Sequence, residues 1–174
     1  MPSGQKAISN RWVFDTKSDG HKKARLVAKG FSQIEGVDYD EIFSPVVRYE
    51  TFCITCALAA LEGWHMDALD IRSAFLYGDL DEEIYMKQPE GFAVKGKEHK
   101  ILCLKRALYG LKQAANAWFC KLNKSMDKLG FIRTQSDAGI FIHRSKDNQL
   151  IIACIYVDDV IFCGSNKDLV RLKK

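Results

Sequence analysis

Two apolar, β-prone runs, residues 150–157 and 160–163, are separated by nothing but Asp158 and Asp159. A two-residue gap between such runs is the signature of a tight hairpin. Both runs are too apolar for a solvent-facing edge, so the spacing predicts a hairpin inside a buried sheet with two carboxylates at its tip. Adjacent carboxylates repel unless a cation lies between them. A third acid, Asp70, closes another strand-like run, residues 64–71, and would complete a three-carboxylate cluster if the strands are neighbours. Hard oxygen ligands of this kind suit magnesium, which keeps positions open for water and phosphate. The same residues also suit a plain polar turn and an ordinary strand end, because aspartate is common in turns.

Around this hairpin the chain reads as a mixture of strands and helices. Residues 12–14 and 24–28 form two short strands about the turn Ser18-Asp19-Gly20. Residues 36–45 are turn-rich. Residues 51–61 are apolar on nearly all sides and stop at Gly63, which predicts a buried helix with a glycine cap. Residues 84–86, 101–104 and 140–143 suggest further short strands. Ala114, Trp118, Leu122, Met126 and Leu129 make a helical stripe, ended by Lys128 and Gly130. Strands and helices interleave without regular βαβ alternation, which predicts an α+β fold.

Charge is unevenly distributed. Residues 1–31 carry seven Lys/Arg and two Asp, residues 62–90 carry eight acids and two bases, and residues 95–128 carry nine bases and two acids. Basic segments attract phosphate backbones, and an acidic patch between them can hold divalent cations. The opening residues lack the apolar core of a signal peptide, and no window has the length of a membrane span. The six cysteines fall mostly in apolar runs, which predicts buried, reduced thiols; Cys53 and Cys56 form a C-x-x-C pair, but no second pair follows at zinc spacing.

The words around the acids decide between the open readings. Tyr156-Val157-Asp158-Asp159 resembles the tetrapeptide of the catalytic hairpin of reverse transcriptases. The stretch from Leu69 to Leu76 resembles the earlier motif in which the first metal-binding aspartate is followed five residues later by an aromatic, here Phe75. Ala107-Leu108-Tyr109-Gly110-Leu111-Lys112-Gln113-Ala114 resembles the motif between them. Further matches are residues 23–31, 43–47 and 85–89. Six motifs in this order resemble the polymerases of copia-type LTR retrotransposons, which are encoded within a larger Pol polyprotein.

The resemblance implies a palm with an antiparallel sheet and helices on one face, plus a small fingers unit, with the thumb absent. It places the fingers-like segment at residues 1–48 and the palm-like region at 49–174. Its implied activity is RNA-directed DNA synthesis on a primer–template from dNTPs. Asp70, Asp158 and Asp159 would be catalytic and hold two magnesium ions, with manganese as an alternative. Lys23, Arg25, Phe75, Tyr109 and Gly110 would meet the nucleotide, Phe75 as the wall beneath the sugar and Lys29 as a competitor for the triphosphate. Lys112, Gln113 and Tyr156 would lie along the template or primer. Integrase and RNase H segments would be partners in the polyprotein, no membrane is involved, and the setting would be a cytoplasmic particle or the nucleus. The chain departs from the family pattern at Ala115 and Asn116, where proline and arginine are usual, and at Arg72 and Tyr77. The alternative activities are a catalytically inactive remnant and a nucleic-acid-binding module.

Overall fold

A computed structural model describes residues 5–173. In chain order the elements are β1 (Asn10–Thr16), β2 (Lys22–Ala28), α1 (Tyr49–Leu61), β3 (His65–Asp70), β4 (Tyr85–Lys87), β5 (Ile101–Cys103), α2 (Ala114–Lys128), β6 (Ile132–Arg133), β7 (Ile140–Arg144), β8 (Leu150–Tyr156), β9 (Asp159–Gly164) and α3 (Lys167–Lys173). This is a mixed α/β chain with antiparallel sheets, as expected for an α+β fold. Among the described residues no helix is long and apolar enough to cross a membrane.

The chain divides into two compact units, each made of two stretches. The first takes the chain up to Phe43 together with Phe75–Trp118, and the second takes Ser44–Ala74 together with the residues from Phe119 onward. Helix α2 contributes to both, its first five residues to the first unit and the rest to the second.

In the first unit, β1 and β2 form a hairpin and β4 pairs with β5. The backbone of Ile8 bonds to both Tyr85 and Lys87, which joins the start of the hairpin to β4. The core comprises Ile8, Ala28, Ile84, Met86, Ala107, Leu111 and Ala114. Two glycines allow the backbone of the 107–114 motif to lie directly on the end of β2. Gly110 has φ +89, and a Cβ there would collide with the Ala28 carbonyl; a Cβ on Gly30 would collide with the Gly110 carbonyl. Neither approach is possible with a larger residue.

The second unit is a five-stranded antiparallel sheet in the order β3-β9-β8-β7-β6. Strands β8 and β9 occupy its middle, and Ile151, Ala153, Ile155, Val160 and Phe162 are buried there. Helix α1 places Phe52 and Ala59 against Ile140, Ile152, Cys154 and Cys163 on one face. On the other face, Phe119 of α2 meets Phe141 at 6.5 Å between ring centres, and Phe131 meets Phe162 at 6.0 Å. The expectation of helices on one face is therefore corrected: Ile140 and Phe141 are consecutive and point to opposite sides, and each side has its own helix.

Helix α1 ends as expected, with Gly63 at φ +62. The Gly63 N–H donates to the Ala60 carbonyl and the Trp64 N–H to the Ala59 carbonyl. It is not buried all round, however. Thr55 and Ala59 are covered, whereas Tyr49, Ile54 and Leu61 are 77%, 68% and 85% exposed. The cysteines divide similarly. Cys154 and Cys163 are buried and Cys56 half-buried, but Cys53, Cys103 and Cys120 are exposed, contrary to the expectation from their apolar neighbours.

Candidate active site

The β8–β9 hairpin forms one residue earlier than the sequence spacing suggests. Its two-residue link is Val157-Asp158, and Asp159 is the first residue of β9, paired with Tyr156. Val157 has φ +59. A β-branched side chain rarely accepts this left-handed backbone, and such residues cost of order 1–3 kcal/mol unless their surroundings over-determine them. The flanking ladder supplies that determination, with every residue from Ile151 to Tyr156 paired across to β9.

The same ladder sets the acids. Asp70, the last residue of β3, stands directly opposite Asp159 in the antiparallel register. Residues paired in this way project to the same face, with Cβ atoms about 4.5–5.5 Å apart. Asp158 lies in the adjoining turn, and its carbonyl accepts the Ile71 N–H at 2.9 Å, which ties the tip of the hairpin to the residue after Asp70. Asp70 and Asp159 are exposed and Asp158 half-buried. The strands that bear Asp70 and Asp159, β3 and β9, are neighbours.

Like charges directly opposite one another disfavour the strand pairing, and hard oxygen donors in that position suit a divalent cation such as magnesium. Among the described residues no three acid, histidine or cysteine side chains already converge as a ligand set. The fit rests on the register and on the chemistry of the donors. Beside the two aspartates opens a largely apolar cavity of about 610 Å³, lined among others by Val47, Phe52, Cys154 and Tyr156. Tyr156 is 58% exposed at its rim.

The remaining expected site residues lie in the first unit. Phe75 and Tyr109 meet edge-on, 5.1 Å between ring centres, and Phe75 rests on the core of that unit. Lys23 and Arg25 alternate along β2 and share one face of the hairpin, Lys23 exposed and Arg25 half-buried. Lys29 is half-buried and Lys112 exposed. Gln113 is buried. It is only 3% exposed, its carbonyl oxygen accepts from the Gln33 amide at 2.9 Å, and its own amide donates to the Asp38 carbonyl at 2.8 Å. Its polar atoms are engaged within the protein, where they organise the 33–38 segment. The absence of a side chain at Gly110 is likewise accounted for by its packing on Ala28.

Sequence reasoning missed Asp137. This buried carboxylate accepts the Arg48 N–H at 3.0 Å and the Gly139 N–H at 2.9 Å. Burial opposes its charge, but the Arg48 and Gly139 amides, the Thr51 hydroxyl and the Arg48 cation outweigh that, so its carboxyl titrates below the usual range. Arg48 precedes α1 and its side chain makes no capping bond, and Asp137, from the β6–β7 connection, instead holds the backbone at the helix entry. Val47 meanwhile donates to the Ile155 carbonyl, and Ile155 to that of Gly139, at 2.8 Å each. A Cβ on Gly139 would run into the Val47 backbone. This knot fixes the strand that carries Tyr156 and the entry to α1. Its only sequence signal is the polar turn Thr134-Gln135-Ser136-Asp137.

Comparison with known proteins places the sequence among relatives. The chain is 44% identical over its whole length to the retrovirus-related Pol polyprotein from transposon TNT 1-94 of Nicotiana tabacum. It is 38% identical over 98% of its length to that from transposon RE1 of Arabidopsis thaliana, and 31% identical over 93% to the transposon Ty1-BL Gag-Pol polyprotein of Saccharomyces cerevisiae. The chain spans 14%, 12% and 9% of these relatives, respectively. No solved structure matches. The family profile described as reverse transcriptase (RNA-dependent DNA polymerase) covers residues 1–174. With copia-type relatives along its full length and paired acids at the end of its central sheet, this chain belongs to the reverse transcriptase family.

Proposed function

We propose that this chain is the RNA-directed DNA polymerase segment of a retrotransposon Pol polyprotein, joining a dNTP to a primer 3′-hydroxyl by two-metal nucleotidyl transfer. The observation that carries the reading is the register that sets Asp70 opposite Asp159, with Asp158 tied in beside them. The three aspartates would hold two magnesium ions, or manganese, which when bound supply a Lewis acid for the attacking and leaving oxygens. The carboxylates themselves orient the reacting groups at the exposed end of a rigid sheet, and the apolar cavity beside them limits water on that side.

Lys23 and Arg25 would neutralise the triphosphate. Phe75 and Tyr109 would form an aromatic wall for the sugar, alongside Gly110, and Lys112, Gln113 and Tyr156 would lie along the template or primer. In the intact element this segment would work beside integrase and RNase H parts of the same polyprotein, in a cytoplasmic particle or in the nucleus. The palm would correspond to the unit that carries the aspartates and the fingers to the β1–β2 hairpin.

Primer extension tests this. The purified chain is given an RNA template, a DNA primer, dNTPs and magnesium, with the Asp158→Asn/Asp159→Asn variant run in parallel. Extension by the parent alone is the expected result. Failure of both at low salt and high protein concentration overturns the reading for this chain and favours the inactive remnant.

A further inference from the structure

The geometry points to a binding pocket for a monohydrogen phosphate group where α3 docks on β3, away from the paired aspartates. The pocket is a small cavity of about 150 Å³, lined by His65, Met66 and Asp67 of β3 and by Lys167, Val170 and Arg171 of α3. All of these residues belong to the second unit. A lysine, an arginine and an imidazole thus meet a single carboxylate.

One buried residue sets the pocket. Val170 is buried and rests on Gly164, where a Cβ would stand 3.3 Å from its side chain. Gly164 is the partner of His65 across the β3–β9 ladder, so Val170 brings α3 beside His65. Lys167 and Arg171 are one turn apart and share a flank of the helix next to Val170. Asn166 holds the start of α3, its side-chain oxygen accepting the Asp168 N–H at 2.9 Å. His65 and Asp67 alternate with Met66 and project to one face of the strand. Asp70 lies three residues beyond Asp67, roughly 10 Å along the strand and on the opposite face.

The chemistry of the lining selects the ligand. Lysine and arginine offer donors only, and an imidazole keeps an N–H in either charge state, so these three groups suit an oxyanion. Asp67 only accepts when ionised; it is half-buried and already engaged in an interaction. A carboxylate has about four acceptor sites, so Asp67 can keep that interaction and still receive a P–OH. It repels sulfate and phosphodiesters, which have no proton to give, and accepts from hydrogen phosphate. The volume fits one tetrahedral ion, being well below the roughly 300–1,000 Å³ of pockets that enclose a drug-sized ligand. No residue of the pocket belongs to the proposed catalytic set, so the pocket stands or falls apart from the polymerase reading.

The test is isothermal titration of the whole chain with inorganic phosphate, sulfate and dimethyl phosphate, in EDTA and at matched ionic strength. One equivalent of phosphate should bind saturably, about tenfold or more tightly than sulfate or the diester. Lys167→Ala/Arg171→Ala should weaken phosphate binding by about tenfold or more. Asp67→Asn should weaken phosphate and tighten sulfate, an inversion that mere loss of structure does not give. Circular dichroism confirms that the variants fold. Competition by a 5′-phosphorylated oligonucleotide but not by its 5′-hydroxyl counterpart makes a strand end the source of the phosphate, and equal behaviour of the two makes it the free ion. No saturable phosphate binding by the parent, sulfate bound as tightly, or undiminished binding by the lysine–arginine variant each overturns the pocket. The Asp158→Asn/Asp159→Asn variant should bind phosphate like the parent, which separates failure here from failure of the polymerase reading.

Discussion

Replacing Asp137 by asparagine changes one heavy atom of a buried side chain and should loosen the whole second unit. The carboxylate satisfies the Arg48 and Gly139 amides at once, one with each oxygen. Asparagine keeps a single acceptor and turns an NH₂ toward the other amide. One buried N–H is then unsatisfied, at a cost of about 1–3 kcal/mol, and both bonds lose their charge assistance. The expected total is about 2–4 kcal/mol, which at a urea m-value of about 2 kcal/mol/M lowers the unfolding midpoint by about 1–2 M. The pH dependence has a defined sign. Because the folded carboxyl titrates below the unfolded value of about 3.9, the carboxylate stabilises the fold above that value and the effect is lost as pH falls through the folded one. The gap between parent and variant should therefore be full at pH 7 and close below about pH 4. Urea titrations at several pH values read it out, and exchange of the Arg48 and Gly139 amides localises it. Equal midpoints at pH 7, or a gap that persists undiminished in acid, would refute the reasoning.

Gly139→Ala places a methyl against the Val47 backbone and should destabilise by more than the roughly 1–3 kcal/mol of ordinary overpacking; a thermal midpoint equal to the parent's would contradict the packing. Burial pushes the Cys163 thiol up to about 12 and Cys154 up to about 11. At pH 8 a thiol reagent should modify exposed Cys53, Cys103 and Cys120 first and reach these two only on unfolding, as peptide mapping would show. Magnesium or manganese should raise the melting temperature of the parent but not of Asp70→Asn/Asp159→Asn, because the variant lacks the opposed charges. An equal rise in both would place the cation elsewhere.

Much of the central sheet was legible because its signals are local. The apolar runs at β3, β8 and β9 announce strands, and the stripe from Ala114 to Met126 announces α2 and its buried side. The hairpin register was off by one because Val157 looks like a strand residue, yet the ladder holds it in a left-handed turn. Residues 51–61 are apolar on every side, so periodicity could not show that α1 is covered only near Thr55 and Ala59. Asp137 was invisible for a different reason. Its partner Arg48 is 89 positions away, and no local pattern marks an acid that holds a helix entry elsewhere in the chain. The bonds of the Gln113 side chain to Gln33 and Asp38 have no local signal either, because those partners lie 80 and 75 positions away.

The interleaving of the two units has a consequence for how the protein is made. The end of β2 is completed only when Gly110 lies against Ala28, 82 residues later in the chain. At a translation rate of roughly 5–20 residues per second, the first hairpin emerges about 4–16 s before the segment that covers it. During that interval Leu26 and Ala28, destined for the core, have only Ile8 of its buried members beside them, and the newborn chain is open to chaperones or to aggregation. Because each unit is drawn from two stretches, cleavage at the middle crossover, between Ala74 and Phe75, divides both units, and cleavage at either outer crossover divides one of them. Neither half can be inherited, excised or expressed as an uninterrupted piece.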